Sequence, residues 1–77
     1  MKEIVFRTAE EYFRFIAIMD EELLNRNMSY QELAQELDVS IRSLYNFRAD
    51  RSRNPSRFLA GKIANYLDIK NGQWRKY

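Results

Sequence analysis

The stretch from Ser29 to Phe47 leaves this chain the fewest choices of fold. Ser29-Tyr30-Gln31-Glu32 has the form of a capping box, in which a serine and a glutamate three residues later satisfy each other's free amides and open a helix. Leu33, Ala34 and Leu37 then fall on one side of that helix. Asp38-Val39-Ser40 interrupts the pattern. Aspartate tolerates the left-handed backbone of a tight turn, Val39 is placed to plug it, and Ser40 is a good N-cap for a second helix. Leu44 and Phe47 anchor that second helix. The spacing thus predicts two short helices, over 30–37 and 41–48, joined by a three-residue turn, with Ala34 small where they cross.

On the N-terminal side, Lys2 to Arg7 is rich enough in β-branched and aromatic residues for a short strand. Thr8-Ala9-Glu10-Glu11 then opens a first helix that ends near Asn25-Arg26-Asn27. Its core face reads as Tyr12, Phe13, Ile16, Met19 and Leu23, with Glu11, Arg14 and Glu22 elsewhere. Phe15 and Ile18 point away from that face and need a cover of their own, from a terminal strand or from another subunit. On the C-terminal side, Asn54-Pro55 reads as a cap followed by a first-turn proline. The helix it starts runs to about Leu67, with Leu59, Ile63, Tyr66 and Leu67 inward and Phe58 beside them. Gly61 within it marks either a close backbone approach or a tolerated defect. A turn at Asn71-Gly72 precedes a tail whose composition suits a second short strand, able to pair with the first.

Seventy-seven residues make one domain, 1–77, because a chain this short buries only about 60% of its unfolded surface and has no room for a second core. Cysteine and histidine are both missing, which removes disulfides, thiol chemistry and the usual zinc ligand sets; no metal and no cofactor are expected. The longest apolar run, Phe15 to Met19, is far too short to span a bilayer, and Met1-Lys2-Glu3 does not open a secretory signal. A soluble, cytoplasmic protein without a membrane partner is the expectation. Catalysis is disfavoured too: acid–base chemistry would fall to carboxylates, and Glu10-Glu11 and Glu21-Glu22, adjacent in sequence, splay apart on a helix.

Charge divides the chain in two. Residues 1–38 carry a net −5 and residues 39–77 a net +7. Arg42, Arg48, Arg51, Arg53 and Arg57 lie close together in the second part and meet only Asp50. Such clustering is what a phosphate backbone attracts, since each neutralised phosphate releases a condensed counterion. With Leu44 at the centre of the buried face of the 41–48 helix, Arg42 lies at about 160° and Asn46 at about 200°, with Ser43 and Tyr45 on the flanks. The outward face is therefore Arg, Asn, Tyr and Ser. Arginine can pair with guanine and asparagine with adenine, each through two hydrogen bonds, and the Tyr45 ring can reach a thymine methyl or a phosphate.

The run Tyr30 to Phe47 resembles a DNA-binding helix-turn-helix. Its continuation, Asn54-Pro-Ser-Arg-Phe-Leu-Ala-Gly-Lys-Ile-Ala-Asn-Tyr-Leu-Asp-Ile, is similar to the helix after the reading helix of the lambda-repressor-like (Cro and XRE-type) family. The resemblance covers roughly residues 10–69. It implies a mainly α fold of four or five helices, to which the terminal strands would be additions, with the third helix in the major groove of double-stranded DNA. It also implies a homodimer on a pseudo-palindromic site. Carried over by position, base contacts fall to Ser40, Ile41, Arg42, Ser43 and Asn46, joined by Tyr45 from the geometry above. Phosphate contacts fall to Tyr30 and Gln31 and to the loop after the reading helix, and Arg48, Arg51, Arg53 and Arg57 are expected to fix register on phosphates. Val5, Phe15, Ile18 and Trp74 are the candidates for a dimer seam. Asp38 stands where the family's turn glycine is usual, and segments 1–8 and 70–77 have no place in its pattern.

These features together read as a small stand-alone repressor of a plasmid, phage or other mobile element, with no small-molecule effector evident. Three rivals stand beside that reading. In the first, Arg42 and Asn46 are solvated residues of an ordinary bundle. A ribbon-helix-helix binder would put Lys2, Glu3 and Arg7 on the bases, against the acidity of the N-terminal half. A protein-interaction module, of antitoxin or anti-repressor type, would grip its partner with Phe15, Ile18 and Trp74.

Overall fold

In the computed structural model, which describes residues 3–49 and 56–75, the helices start at side-chain caps. Thr8 is extended, at φ −138° and ψ 161°, and its hydroxyl accepts the Glu11 N–H at 3.2 Å to begin α1 (Ala9–Asn25). Ser29 begins α2 (Tyr30–Leu37) with both halves of the capping box in place. Ser40 begins α3 (Ile41–Ala49), accepting the Ser43 N–H at 3.0 Å. Ser56, which accepts the Leu59 N–H, begins α4 (Arg57–Leu67). That last cap corrects the expectation from sequence, which gave the role to Asn54; Asn54 and Pro55 lie outside the described residues. A hydroxyl nearer the first apolar turn takes the Leu59 amide.

Three of these helices end alike. Asn27, Asp38 and Asp68 take left-handed backbone at φ 54°, 56° and 59°. The residue after each then donates its amide back along the chain: Met28 to Leu23, Val39 to Ala34 and Ile69 to Ala64, at 2.9 to 3.0 Å. Glycine is the usual residue in this closure, and the short polar side chains of Asn and Asp are the tolerated substitutes. Each closure is succeeded by an apolar residue that turns back into or against the core.

Phe15, Met19, Leu33, Leu44, Ile63, Leu67 and Trp74 form the fully buried centre. Helix α1 packs against α4 and against a single 3-10 turn at Gln73–Arg75; α2 packs against α3 and α4. The buried residues of α1 occupy an arc of about 140°, and Phe13 lies about 80° beyond its edge. Phe13 is accordingly 61% exposed, where the sequence pattern put it in the core, while Phe15 is fully buried and Glu11 is nearly so. Phe58, expected beside the inward stripe of α4, is also exposed, and small Ala60, Gly61 and Ala64 are buried instead.

The cover over Phe15 comes from the two ends of the chain, though not as strands. Among the described residues there is no strand: 3–8 run irregularly and the tail makes its 3-10 turn after Gly72, at φ 82°. Phe6 meets Tyr12, Phe15 and Trp74 edge to face, with centroids 5.3–6.1 Å apart. Ile4 is buried, and its amide donates to the Arg57 carbonyl at 3.2 Å. Glu11 accepts the Arg7 amide at 2.9 Å and lies 3.7 Å from the Arg75 guanidinium, while Arg14 donates to the Trp74 carbonyl at 3.2 Å. Energetics explain the choice. An isolated two-stranded ribbon is marginal in water, whereas each buried aromatic contributes about 1.5–3 kcal/mol and each edge-to-face pair about 0.5–1.5 kcal/mol more.

Two expectations change as a result. Phe15, Ile18 and Trp74 are buried within the chain and present no seam to another subunit; of the four candidates only Val5 is exposed. Glu3 and Arg7, which a ribbon would carry to DNA, stand on irregular backbone rather than in a strand, and Lys2 lies outside the described residues.

Candidate nucleic-acid interface

Helices α2 and α3 are set against each other by the turn between them. The Asp38 amide reaches back to Gln35 at 3.2 Å and the Val39 amide to Ala34 at 3.0 Å, so the chain reverses within three residues. Ser40 then restarts it, its hydroxyl also lying 2.8 Å from that of Ser43. Leu33, Ala34, Leu37, Leu44 and Phe47 bury the inner side of the pair. Helix α3 runs one residue further than the spacing predicts, to Ala49.

With Leu44 and Phe47 inward, Ser40, Ile41, Arg42, Ser43, Tyr45 and Asn46 are all exposed. Arg42 makes no ion pair among the described residues. The first turn of α3 carries no acidic residue, whereas α1 begins with Glu10 and Glu11 and α2 carries Glu32. Free amides at the start of α3 therefore add to the positive potential around Arg42, while those of α1 and α2 face carboxylates of their own. Ser43 and Asn46 also line an open groove of about 400 Å³, whose other wall includes Phe58 and Lys62 of α4. Lys62, which sequence reasoning passed over, puts a cation beside the outward face.

The opposite end of α3 is tied down. The Tyr12 hydroxyl donates to the Phe47 carbonyl and lies 3.1 Å from that of Arg48, so α1 caps the last turn of α3. Asp20, also on α1, accepts from Arg48 Nη2 at 2.8 Å and from the Tyr30 hydroxyl. Arg48 Nε in turn donates to that hydroxyl at 2.7 Å. Burial and the hydrogen bond to Asp20 push the Tyr30 phenol up to about 12, and the Asp20 and Tyr30 contacts hold Arg48 still more firmly in its charged form. Arg48 and Asp20 remain partly open to solvent, so their ion pair contributes about 0.2–1 kcal/mol. The ring of Tyr30 lies 5.6 Å from that of Tyr45, tilted by 48°.

Two residues expected as separate phosphate ligands, Tyr30 and Arg48, are thus brought together around a carboxylate. Gln31 and Arg57 are exposed, and Arg51 and Arg53 lie outside the described residues. Tyr12 and Asp20 were missed as parts of the site. Asp20 reaches Arg48 across twenty-eight positions of sequence, and nothing in its neighbourhood signals that partner.

Among the described residues no three acidic side chains gather as a metal would require, and no helix is long and apolar enough to cross a membrane. Comparison with curated proteins gave no match, and comparison with solved structures gave none. The family model for the helix-turn-helix matches residues 20–71, about two thirds of the chain, from Asp20 through α2, α3 and α4 to the turn before Gly72. That span contains both helices of the motif and the helix that supports them, which makes the chain a member of the Cro/C1-type helix-turn-helix family of DNA-binding regulators.

Proposed function

We propose that this regulator is sequence-specific, that α3 enters the major groove, and that Arg42 and Asn46 choose bases there. The observation that carries this is the outward face of α3: both side chains are exposed, on the side opposite Leu44. Ser43, Ile41 and Tyr45 flank them, Ile41 and Tyr45 offering apolar surface suited to a thymine methyl. Ser40 caps the helix, and the Ser40 and Ser43 hydroxyls are within hydrogen-bonding distance of each other. Gln31 and Arg57, with Arg51 and Arg53 by their charge, supply phosphate contacts that fix register. One such module reads few base pairs, which supports a homodimer on a two-part site. Likeness to Cro and C1, the family's namesakes, is what supports repression as the output and a plasmid, phage or other mobile element as the setting.

Titrating the purified chain against a random DNA library at two salt concentrations tests the proposal. A preferred site should emerge, and Arg42→Ala should weaken it by about 1–3 kcal/mol while relaxing the preference at one base. Equal loss on preferred and random DNA would refute a base-reading role for Arg42. The variant should unfold within about 0.5 kcal/mol of the parent, because the side chain is exposed and makes no ion pair among the described residues.

A further inference from the structure

We propose that Asp20, on α1 and outside the α2–α3 unit, is a positioning residue that sets how sharply α3 discriminates between DNA sequences. The inference rests on α3 being the reading helix.

Tyr45 is half exposed on α3, and a tyrosine in that situation has several rotamers open to it. Here the Tyr30 ring lies against one side of it. Tyr30 is itself held at its far end, where its hydroxyl donates to Asp20 and accepts from Arg48. Asp20 closes the set by accepting from Arg48 Nη2 at 2.8 Å, with the Nε 3.5 Å from its other oxygen. The carboxylate therefore does two things. It fixes the ring on which Tyr45 leans, and it occupies the guanidinium in the last turn of the reading helix. A Tyr45 held in one rotamer meets one base step well and others badly. An Arg48 held by Asp20 adds little to binding that ignores sequence.

Removing the charge should move these two properties in opposite directions. In Asp20→Asn, Arg48 is released to a phosphate, and one added phosphate contact steepens the salt dependence on random DNA by about 0.9 and tightens that binding about fivefold at physiological salt. The preference at the base step assigned to Tyr45 should fall at the same time. Loss of folded protein would weaken both kinds of binding together, so the opposed changes separate positioning from simple destabilisation.

The experiment measures wild type, Asp20→Asn, Tyr30→Phe and Tyr45→Ala against a random duplex library and one preferred duplex, across a salt series, with thermal unfolding as the check on folding. Tyr45→Ala marks the base step concerned and leaves the salt slope unchanged. Tyr30→Phe keeps the ring and removes its hydroxyl, and should lower the preference at that same step; it also decides the matter if Asp20→Asn does not fold. A folded Asp20→Asn with unchanged slope and unchanged preference overturns the inference, as does a folded Tyr30→Phe with full preference at the Tyr45 step. Wild-type protein without any sequence preference would instead overturn the proposed function itself.

Discussion

At its first turn α3 presents Ser40, Ile41 and Arg42 to solvent with no ion pair among the described residues, whereas its last turn is bonded to Tyr12, Asp20 and Tyr30. The two ends of one nine-residue helix thus have opposite surroundings. The tied end fixes the direction of the helix axis, and the open end is where a ligand can approach without displacing protein contacts. Stability and binding therefore separate along the helix, and substitutions can be sorted by which end they touch.

The largest effect should come from Phe47→Ala at the tied end. Phe47 is buried and packs edge to face on Tyr12 and Phe15, so its removal should cost about 3–5 kcal/mol in a denaturant melt. Tyr12→Phe keeps the ring but leaves the Phe47 carbonyl without its donor, and about 1–3 kcal/mol of stability should go with it. Ser40→Ala sharpens the comparison from the other end. The residue is exposed, yet it caps α3, and its loss should cost about 1 kcal/mol in the same melt. An unchanged melting curve for Ser40→Ala would mean that the open end contributes nothing to the helix.

The smallest effect is visible only in alkali. The Tyr30 phenol is pushed from its ordinary 10 up to about 12, so the fold favours its protonated form. That contribution is complete below pH 10 and is lost as the pH rises through the folded value. In an ultraviolet titration of the folded protein the Tyr30 phenol should ionise late, and Tyr30→Phe should remove that late step. Over the same range the wild type should lose stability faster than Tyr30→Phe.

Local signals made the open end legible. The capping box at Ser29, the left-handed turn at Asp38 and the cap at Ser40 are each written in a few neighbouring residues, and together with Leu44 they settle which side of α3 faces out. The tied end was largely hidden. Tyr12 reaches the Phe47 carbonyl across thirty-five positions, and periodicity alone divides the apolar residues of α1 between two sides, both of which pack into the core while Phe13 stays out. Burial of the Phe15 side depends on Phe6 and Trp74 arriving from opposite termini. The β-branched and aromatic residues between Lys2 and Arg7 raised a strand expectation for a related reason. Propensity describes a residue that fits a half-buried sheet, and here Phe6 packs against rings and Ile4 enters the core instead, while Val5 stays exposed.

The closure of α2 at Asp38 makes residue count a fixed quantity. Adding one residue between Ser29 and Asp38 would swing the α2 cap by about 100° against everything downstream, since each step along a helix turns by that angle. The lettering on the outer side of α3 can be rewritten without touching that count, so the address such a molecule answers to is free to drift while its grammar is not.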